Sequence, residues 1–169
     1  KGQLVVPSGQ TDFNTICTLR WSQETAQKRM EDIISGYYSN GKKLDAVISP
    51  FDGISYGIAA ALEGAGYQVG TNWPIITGQD AELMATKNII SGKQTMTVFK
   101  DTRILADKCV LMVQAVLEGK DPEINDTKSY DNHKLIVPSY LCTPVAVDKD
   151  NYQKELVDSN YYKAADLGL

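Results

Sequence analysis

The sequence predicts an α/β fold with a mainly parallel, open sheet that carries helices on both faces. Three observations predict it. The 169 residues, 43% of them apolar, are enough for one domain with a sizeable core. Short strand-like apolar runs alternate with helical stretches of ten or more residues, the pattern of strands joined by crossover helices. Prolines and glycines separate the elements.

The first half of the chain contains two predicted strands and two predicted helices. Leu4–Val6 is a short apolar run closed by a proline and a glycine, and Ala46–Ser49 is a strand that ends at Pro50. A helix is predicted over Ser22–Tyr38, with Ser22 as its N-cap. Its apolar residues recur on one helical face, namely Ala26, Met30, Ile33, Ile34 and Tyr37. A second stripe predicts the next helix, stopped by Gly64 and Gly66, and comprises Ile54, Ile58, Ala61 and Leu62.

The second half continues the alternation of strands and helices, and a predicted hairpin and a short helix follow. Strands are predicted at Ile75–Thr77 and Thr95–Phe99, with a helix from about Ala81 to Ser91 between them. A helix over about 102–118 carries the apolar stripe Leu105, Cys109, Met112, Val113 and Val116. Residues 128–140 then predict a β-hairpin, and Asn151–Val157 predicts a short terminal helix.

Composition and charge disfavour several classes of function. The net charge is −4, the pI is about 5.0, and no basic run is longer than Lys42-Lys43, so no nucleic-acid partner is expected. No apolar stretch reaches the roughly 18 residues of a membrane-spanning helix. The three cysteines form no CxxC pair and no Cys/His metal spacing, so neither a metal nor a cofactor is expected. Cys109 lies on an apolar stripe and is expected to be a buried thiol.

Charged residues follow three successive predicted strands, in the pairs Phe51-Asp52, Gln79-Asp80 and Lys100-Asp101. Open parallel sheets bind their ligands beyond the carboxyl ends of the strands, so these side chains are candidate ligand contacts. Helix capping is an equally good explanation for Asp52 and Asp101. It does not explain Lys100, because a lysine opposes the dipole at the start of a helix.

The chemistry of these side chains favours a neutral ligand rich in hydroxyl groups. A carboxylate only accepts hydrogen bonds and an ammonium group only donates them, and a hydroxyl can pair with both. No glycine-rich phosphate motif is present. A sugar also needs a flat apolar wall, which Trp21 would supply if it does not simply pack the start of the first long helix. Trp73, beside Pro74 and before a strand, fits a structural role.

Several segments together resemble one family. The stretches TLRWSQETAQKRM, AVISPFDGISYGIAAALEGAGY, PIITGQDAE, GKQTMTVFKDT and VPSYLCTPVAVDKDNY occur in order and cover nearly the whole chain. They resemble the periplasmic monosaccharide-binding proteins of ABC importers, in the group that binds xylose, glucose, galactose and multiple sugars. The resemblance implies a periplasmic-binding-protein-like fold with no catalytic residue.

The resemblance also implies roles for individual residues. Trp21 occupies the place of the tryptophan that stacks on the pyranose ring, and Asp80 that of the aspartate that binds sugar hydroxyls. Lys100 matches the polar residue that ends the TV strand. Where the family has an Asn-Asp pair this chain has Phe51-Asp52, which leaves Asp52 as the polar candidate. Arg20 precedes the stacking tryptophan and is the remaining candidate for a sugar contact.

Family members have two lobes and about twice this length, with the sugar in the cleft. The resemblance covers the carboxy-terminal half, and the chain opens at Lys1 without Met, so we expect a piece of a longer protein. Residues 1–101 would form most of the second lobe, 102–126 a crossover helix belonging to the first lobe, and 127–169 a hairpin and carboxy-terminal segment. The first lobe or a dimer partner is expected to cover the apolar stripe of helix 102–118.

The implied function is the solute-binding component of an ABC sugar importer, which delivers a pentose or hexose to a membrane permease. Its implied location is extracytoplasmic, either in the periplasm or lipid-anchored on the outer face of the membrane. Two binding alternatives share the fold: the effector domain of a repressor, and a receptor for a sugar-like signal. An enzyme is disfavoured because the single histidine, His133, lies in a predicted turn with no nucleophile or acid pattern around it.

Overall fold

The computed structural model describes residues 4–39 and 41–169. The chain divides into two compact units, Lys1–Val98 together with Ala146–Leu169, and Phe99–Val145. The first unit contains most of the strand residues and most of the helices. The second contains one long helix and an extended segment.

The first unit opens with a short helix α1 (Phe13–Ile16), a 3-10 turn (Leu19–Trp21) and the long helix α2 (Gln23–Tyr37). The predicted N-cap of α2 is confirmed, because the Ser22 hydroxyl accepts a hydrogen bond of 3.1 Å from the Thr25 amide. Helix α3 (Asp52–Gly64) begins two residues after Pro50, and its predicted stop at Gly64 is confirmed.

The largest core of the first unit lies between α2 and α3. Members of both predicted stripes meet there, together with Leu44 and Ile76 from outside these helices. The buried residues of the cluster are Ala26, Met30, Ile34, Leu44, Ile54, Ile58, Ala61, Leu62 and Ile76. Each of the larger side chains contributes roughly 1.5–3 kcal/mol by its burial. Trp73 packs against the same cluster and donates a 2.9 Å hydrogen bond from its indole nitrogen to Lys93 O, so its predicted structural role is confirmed.

The described residues contain four short strands, and the first two pair in parallel as predicted. Strands β1 (Ala46–Val47) and β2 (Ile75–Ile76) pair in parallel, and β3 (Met96–Phe99) pairs with β4 (Val145–Asp148). A parallel bridge between Gln79 and Val98 connects the segment after β2 to β3. The predicted α/β fold class is confirmed. Strand β4 was not predicted.

The other helices of the first unit are α4 (Leu83–Ser91), a π-helix (Gln153–Asp158) and α6 (Ala164–Leu167), and α4 packs against α6. Helix α4 was predicted from about Ala81 to Ser91; it ends at Ser91 as predicted and begins two residues later, at Leu83. Asp80 and Ala81 have φ values of 97° and 52°, which no right-handed helix contains. The helix therefore begins only after this left-handed turn.

The second unit contains helix α5 (Thr102–Leu117), which Asp101 caps through a 2.9 Å hydrogen bond from the Arg103 amide. None of the residues of α5 is buried, and Leu105, Val113 and Val116 are 43–62% exposed. The predicted hairpin consists of two isolated antiparallel bridges, Asp126 with Ser139 and Asp131 with Ile136. No helix among the described residues is long and apolar enough to span a bilayer.

Two expectations about apolar residues were wrong. Leu4–Val6 forms no strand and is 51–92% exposed, since no neighbouring strand in the described part of the chain offers it hydrogen-bond partners. Cys109 is exposed rather than buried, because α5 as a whole lacks a covering layer within its unit.

Candidate ligand-binding site

Asp52 is the most deeply buried of the predicted site residues, with no exposed surface. Its Oδ1 accepts hydrogen bonds from Gln94 Nε2 at 2.8 Å and Thr97 Oγ1 at 2.9 Å. Its Oδ2 accepts from the Glu82 amide at 2.9 Å. Because both oxygens are engaged inside the protein, Asp52 supports the site from behind rather than presenting a carboxylate to a ligand.

Burial dominates the electrostatics of Asp52. Removal from water raises the pKa of this carboxyl group, and the nearby Glu82 charge raises it further, although the three hydrogen bonds oppose the shift.

Gly78 leaves space for the hydrogen bond between Asp52 and Gln94. A side chain there would collide with Asp52 Oδ1 and Gln94 Nε2, so only glycine leaves space for the buried carboxylate and amide.

The turn that follows β2, residues 79–82, is held at each backbone position. The amides of Asp80, Ala81 and Glu82 donate to Val98 O at 2.9 Å, to Thr97 Oγ1 at 3.1 Å and to Asp52 Oδ2 at 2.9 Å, respectively. Gln79 O accepts from the Asp52 amide at 3.0 Å. Ala81 O accepts from the Tyr162 hydroxyl at 2.9 Å.

The conformation of this turn is costly. Asp80 and Ala81 are consecutive non-glycine residues with positive φ, and each such residue costs on the order of 1–3 kcal/mol. Ala81 is fully buried, whereas Asp80 is exposed at the end of the strand. The hydrogen bonds around the turn therefore hold an unfavourable backbone conformation, which fixes the point from which the Asp80 side chain leaves the main chain.

Two tyrosines complete the surroundings of the turn. The Tyr56 hydroxyl donates to Glu82 Oε2 at 2.7 Å, and burial together with this carboxylate raises the pKa of Tyr56. Burial, with the neighbouring Tyr161 and two carboxylates, raises the pKa of Tyr162 to about 12. Both hydroxyls therefore keep their protons at neutral pH and act as donors.

Trp21 lies in a second strained turn. Arg20 and Trp21 both have φ of 56°, and the backbone bonds that close this turn are local ones of 3.2 Å, from Trp21 N to Thr18 O and from Ser22 N to Leu19 O. The Trp21 side chain is 56% exposed and meets the Phe51 ring edge-to-face, with centroids 6.0 Å apart and planes at 89°. An exposed aromatic face is thus supported from one side by a second ring.

Phe51 is fixed from below. Its carbonyl accepts hydrogen bonds from the hydroxyls of Ser49 at 3.0 Å and Ser55 at 3.1 Å. Its ring lies over Gly53, where a Cβ would come within 2.5 Å of the ring carbon Cε1. Phe51 is therefore placed to brace Trp21. Arg20 is exposed beside the tryptophan.

Lys100 is half-buried and follows β3 directly, as the first residue beyond the strand. It belongs to the second unit, whereas Trp21, Phe51, Asp52 and Asp80 belong to the first. The structure brings Trp21 together with Phe51, and the Asp52 backbone together with the Asp80 turn. The convergence of Lys100 with Asp80 stays a prediction.

Sequence reasoning missed Thr97, Gln94 and Tyr162, which support the turn. Gln94 precedes β3 and Thr97 lies within it, and a polar side chain at a strand position expected to be buried was the available signal for Thr97. Tyr162 had no such signal, since its partner Ala81 lies 81 residues earlier in the chain. The described residues contain no cluster of three or more potential metal ligands.

Aromatic and acidic residues beyond the carboxyl ends of strands in an α/β fold are typical of proteins that bind ligands at that edge of the sheet. The chain belongs to the family described as periplasmic binding protein domain, whose model matches residues 5–121. This match confirms the resemblance found in the sequence.

Two relatives are named as sugar-binding proteins. The multiple sugar-binding periplasmic receptor ChvE of Rhizobium radiobacter is 54% identical over 98% of this chain. The D-xylose-binding periplasmic protein of Escherichia coli is 33% identical over 87% of it. The matched regions are 47% and 42% of those proteins, so the chain spans about half the length of the curated relatives it matches.

Solved structures agree in fold. An ABC transporter solute binding protein from Clostridium phytofermentans with bound β-D-glucose superposes with a TM-score of 0.89 at 50% identity, over 96% of this chain and 49% of that one. A carbohydrate transporter solute binding protein from Chloroflexus aurantiacus in complex with D-glucose gives a TM-score of 0.77 at 35% identity, over 86% of this chain and 42% of that one.

Proposed function

We propose that this chain forms one wall of a monosaccharide site in the solute-binding component of an ABC sugar importer. The observation that carries the proposal is the presence, in one unit, of an exposed tryptophan braced by a second ring and an exposed aspartate on a rigid strand-end turn. Relatives named for sugar binding and neighbours solved with glucose support it.

Each proposed contact has its own chemistry. Trp21 stacks on the apolar face of a pyranose, and Phe51 keeps the indole upright. Asp80 accepts hydrogen bonds from sugar hydroxyls, and Lys100 donates to them. A hydrogen bond to a charged group contributes roughly 1.5–3 kcal/mol once water is excluded. Arg20 lies at the rim, and Asp52 acts through the turn rather than by touching the sugar.

The proposal extends to the whole protein. It binds a pentose or hexose outside the cytoplasm, either free in the periplasm or lipid-anchored, and hands it unchanged to a membrane permease. Residues 102–126 belong to the first lobe and residues 1–101 to the second, with 127–169 as hairpin and carboxy-terminal segment. The apolar face of α5 is then covered by the first lobe or by a dimer partner.

A receptor for a sugar or a sugar-like signal is a second candidate. The name of the Rhizobium radiobacter relative, a periplasmic receptor, favours it. The binding chemistry is the same in both cases, and the difference lies in which membrane protein recognises the loaded form. Sugar-dependent pull-down of a permease or of a sensor protein separates the two.

The test is calorimetric titration of the full-length protein with a panel of pentoses and hexoses. Asp80→Asn keeps a residue that tolerates positive φ, removes the charge and replaces one acceptor oxygen by a donor, so the loss measures the hydrogen bonds that the carboxylate accepts. We expect affinity to fall about tenfold to a hundredfold for Asp80→Asn and for Trp21→Ala. Lys100→Met keeps the aliphatic stem and removes the donors.

The matched control is Asp45→Asn, which changes an exposed carboxylate paired with Lys43 and should leave affinity unchanged. Wild-type affinity in the Asp80 and Lys100 variants, for a sugar that the parent binds, would put the site elsewhere. Chromatographic recovery of altered sugar after incubation would contradict a purely binding role.

A further inference from the structure

The turn at residues 79–82 receives support from three distant parts of the chain. Asp52 at the start of α3 binds the Glu82 amide, Thr97 in β3 binds the Ala81 amide, and Tyr162 near the carboxy terminus binds the Ala81 carbonyl. Thr97 also donates to Asp52, at 2.9 Å to Oδ1, so two of the three supports are themselves connected. All of these residues lie within the first unit.

This network encloses the backbone but leaves the Asp80 side chain on the surface. Asp52, Ala81 and Thr97 have no exposed surface, while Asp80 is exposed. A left-handed pair such as Asp80-Ala81 reverts to commoner backbone conformations when its hydrogen bonds are removed, because nothing intrinsic to either residue favours it strongly. Reversion would swing the Asp80 carboxylate away from its present direction.

We propose that Asp52, Thr97 and Tyr162 are positioning residues that set ligand affinity by fixing the direction of Asp80, without touching the ligand themselves. The inference rests on the proposed function in assigning Asp80 to the sugar. Tyr162 is the most informative of the three, because a single hydroxyl of a half-buried ring joins the carboxy-terminal segment to the turn.

Tyr162→Phe tests the proposal with least disturbance, because the ring and its edge-to-face contact with Tyr161 are retained. In the full-length protein we expect sugar affinity to fall about threefold to tenfold, the effect of one lost hydrogen bond. Thermal midpoint should change little. Tyr152→Phe is the matched control: it removes a hydroxyl from the same segment that makes none of the hydrogen bonds of the turn in the described part of the chain.

A double-mutant cycle separates positioning from a general structural effect. If Tyr162 acts through Asp80, then Tyr162→Phe should cause no further loss of affinity in an Asp80→Ala background. Equal losses in both backgrounds would overturn the proposal. Thr97→Ser keeps the hydroxyl group and should retain most of the sugar affinity. Thr97→Val removes the hydroxyl group and should lose most of the sugar affinity.

Hydrogen exchange measured without a ligand tests the positioning role of Tyr162 separately from the proposed sugar-binding function. Amide hydrogen exchange at residues 80–82 should accelerate at least threefold in Tyr162→Phe and stay unchanged in Tyr152→Phe. Unchanged exchange in Tyr162→Phe overturns the positioning role whether or not the protein binds sugar. If exchange accelerates but Asp80→Ala binds sugar normally, the turn is supported as described, and the proposed function and the link from turn to affinity both fail.

Discussion

Two turns of the first unit contain consecutive non-glycine residues at positive φ, and they are held in opposite ways. The Asp80-Ala81 turn is stabilised from the interior by side chains 16, 30 and 81 residues away. The Arg20-Trp21 turn is closed by backbone bonds within four residues and braced by one aromatic contact. One turn is therefore built into the core, and the other rests on its surface.

The difference matches the two kinds of contact that we propose. A carboxylate that accepts hydrogen bonds needs a fixed direction, because hydrogen bonds weaken steeply when misaligned. An aromatic face tolerates small displacements, because stacking depends on area more than on angle. Changes at Asp52, the fully buried carboxyl group behind the Asp80 turn, should cost more stability than changes in the Trp21 turn, and the following predictions test this order.

The largest effect is expected from Asp52→Ala. It removes the acceptor of the Glu82 amide and of the buried Gln94 and Thr97 side chains, and each unsatisfied buried group costs about 1–3 kcal/mol. We expect the free energy of unfolding in urea to fall by about 3 kcal/mol. The control Asp12→Ala removes an exposed N-cap of α1 and should cost about 1 kcal/mol or less. Equal losses would remove the distinction between buried and surface support.

A somewhat smaller loss is expected from Gly78→Ala. The added methyl group would collide with Asp52 and Gln94, and such overpacking typically costs about 1–3 kcal/mol. Gly64 lies at the end of α3 with open space around its Cβ direction, so Gly64→Ala should be neutral or stabilising by up to about 1 kcal/mol. Opposite signs in urea denaturation are the expected result, and a neutral Gly78→Ala would refute the tight enclosure of Asp52.

The titration of Asp52 should contribute to the pH dependence of the free energy of unfolding. Its folded pKa is raised above the unfolded value near 3.8, so the folded state retains this proton to higher pH. The contribution of this proton to the free energy of unfolding is fully present below pH 3.8 and is lost as pH rises through the folded pKa. The free energy of unfolding changes with a slope of at most about 1.4 kcal/mol per pH unit.

Urea unfolding of wild type and Asp52→Asn at a series of pH values isolates this term, because the other titrating groups largely cancel. The stability of wild type relative to the variant should grow as pH falls from neutral toward 4. A constant difference would mean that burial does not shift this carboxyl group.

The smallest effect is expected in the surface turn. Arg20→Gly relieves a left-handed conformation that costs about 1–2 kcal/mol and adds about 0.5–1 kcal/mol of unfolded-state entropy, so stability should stay level or rise by up to about 1 kcal/mol. The control Lys28→Gly, at an exposed right-handed position of α2, should lose about 1 kcal/mol. A clear loss for Arg20→Gly would show that this turn, too, depends on specific side-chain support.

The contrast between local and distant support also explains what the sequence could predict. The Ser22 cap, the α2 and α3 stripes and the strands before Pro50 and Gly78 depend on neighbouring residues, and they were predicted. The start of α4 was not, because three tertiary hydrogen bonds, rather than local preference, fix the backbone of Asp80 and Ala81. The family resemblance pointed to Asp80 and Trp21 as contacts, whereas the burial of Asp52 followed only from Thr97 and Gln94 meeting it across 45 and 42 residues.

The bond from Tyr162 to Ala81 also has a consequence for synthesis. A ribosome makes the chain from its amino terminus, at roughly 5–20 residues per second, so the partner of Ala81 is added at least four seconds after Ala81 itself. Helices α2 and α3 can pair early, since their contacts lie close in sequence. The bond from Tyr162 to the turn must wait for the carboxy-terminal segment. In the nascent chain, the packing of α2 against α3 can therefore form before the full set of hydrogen bonds that holds the turn at residues 79–82.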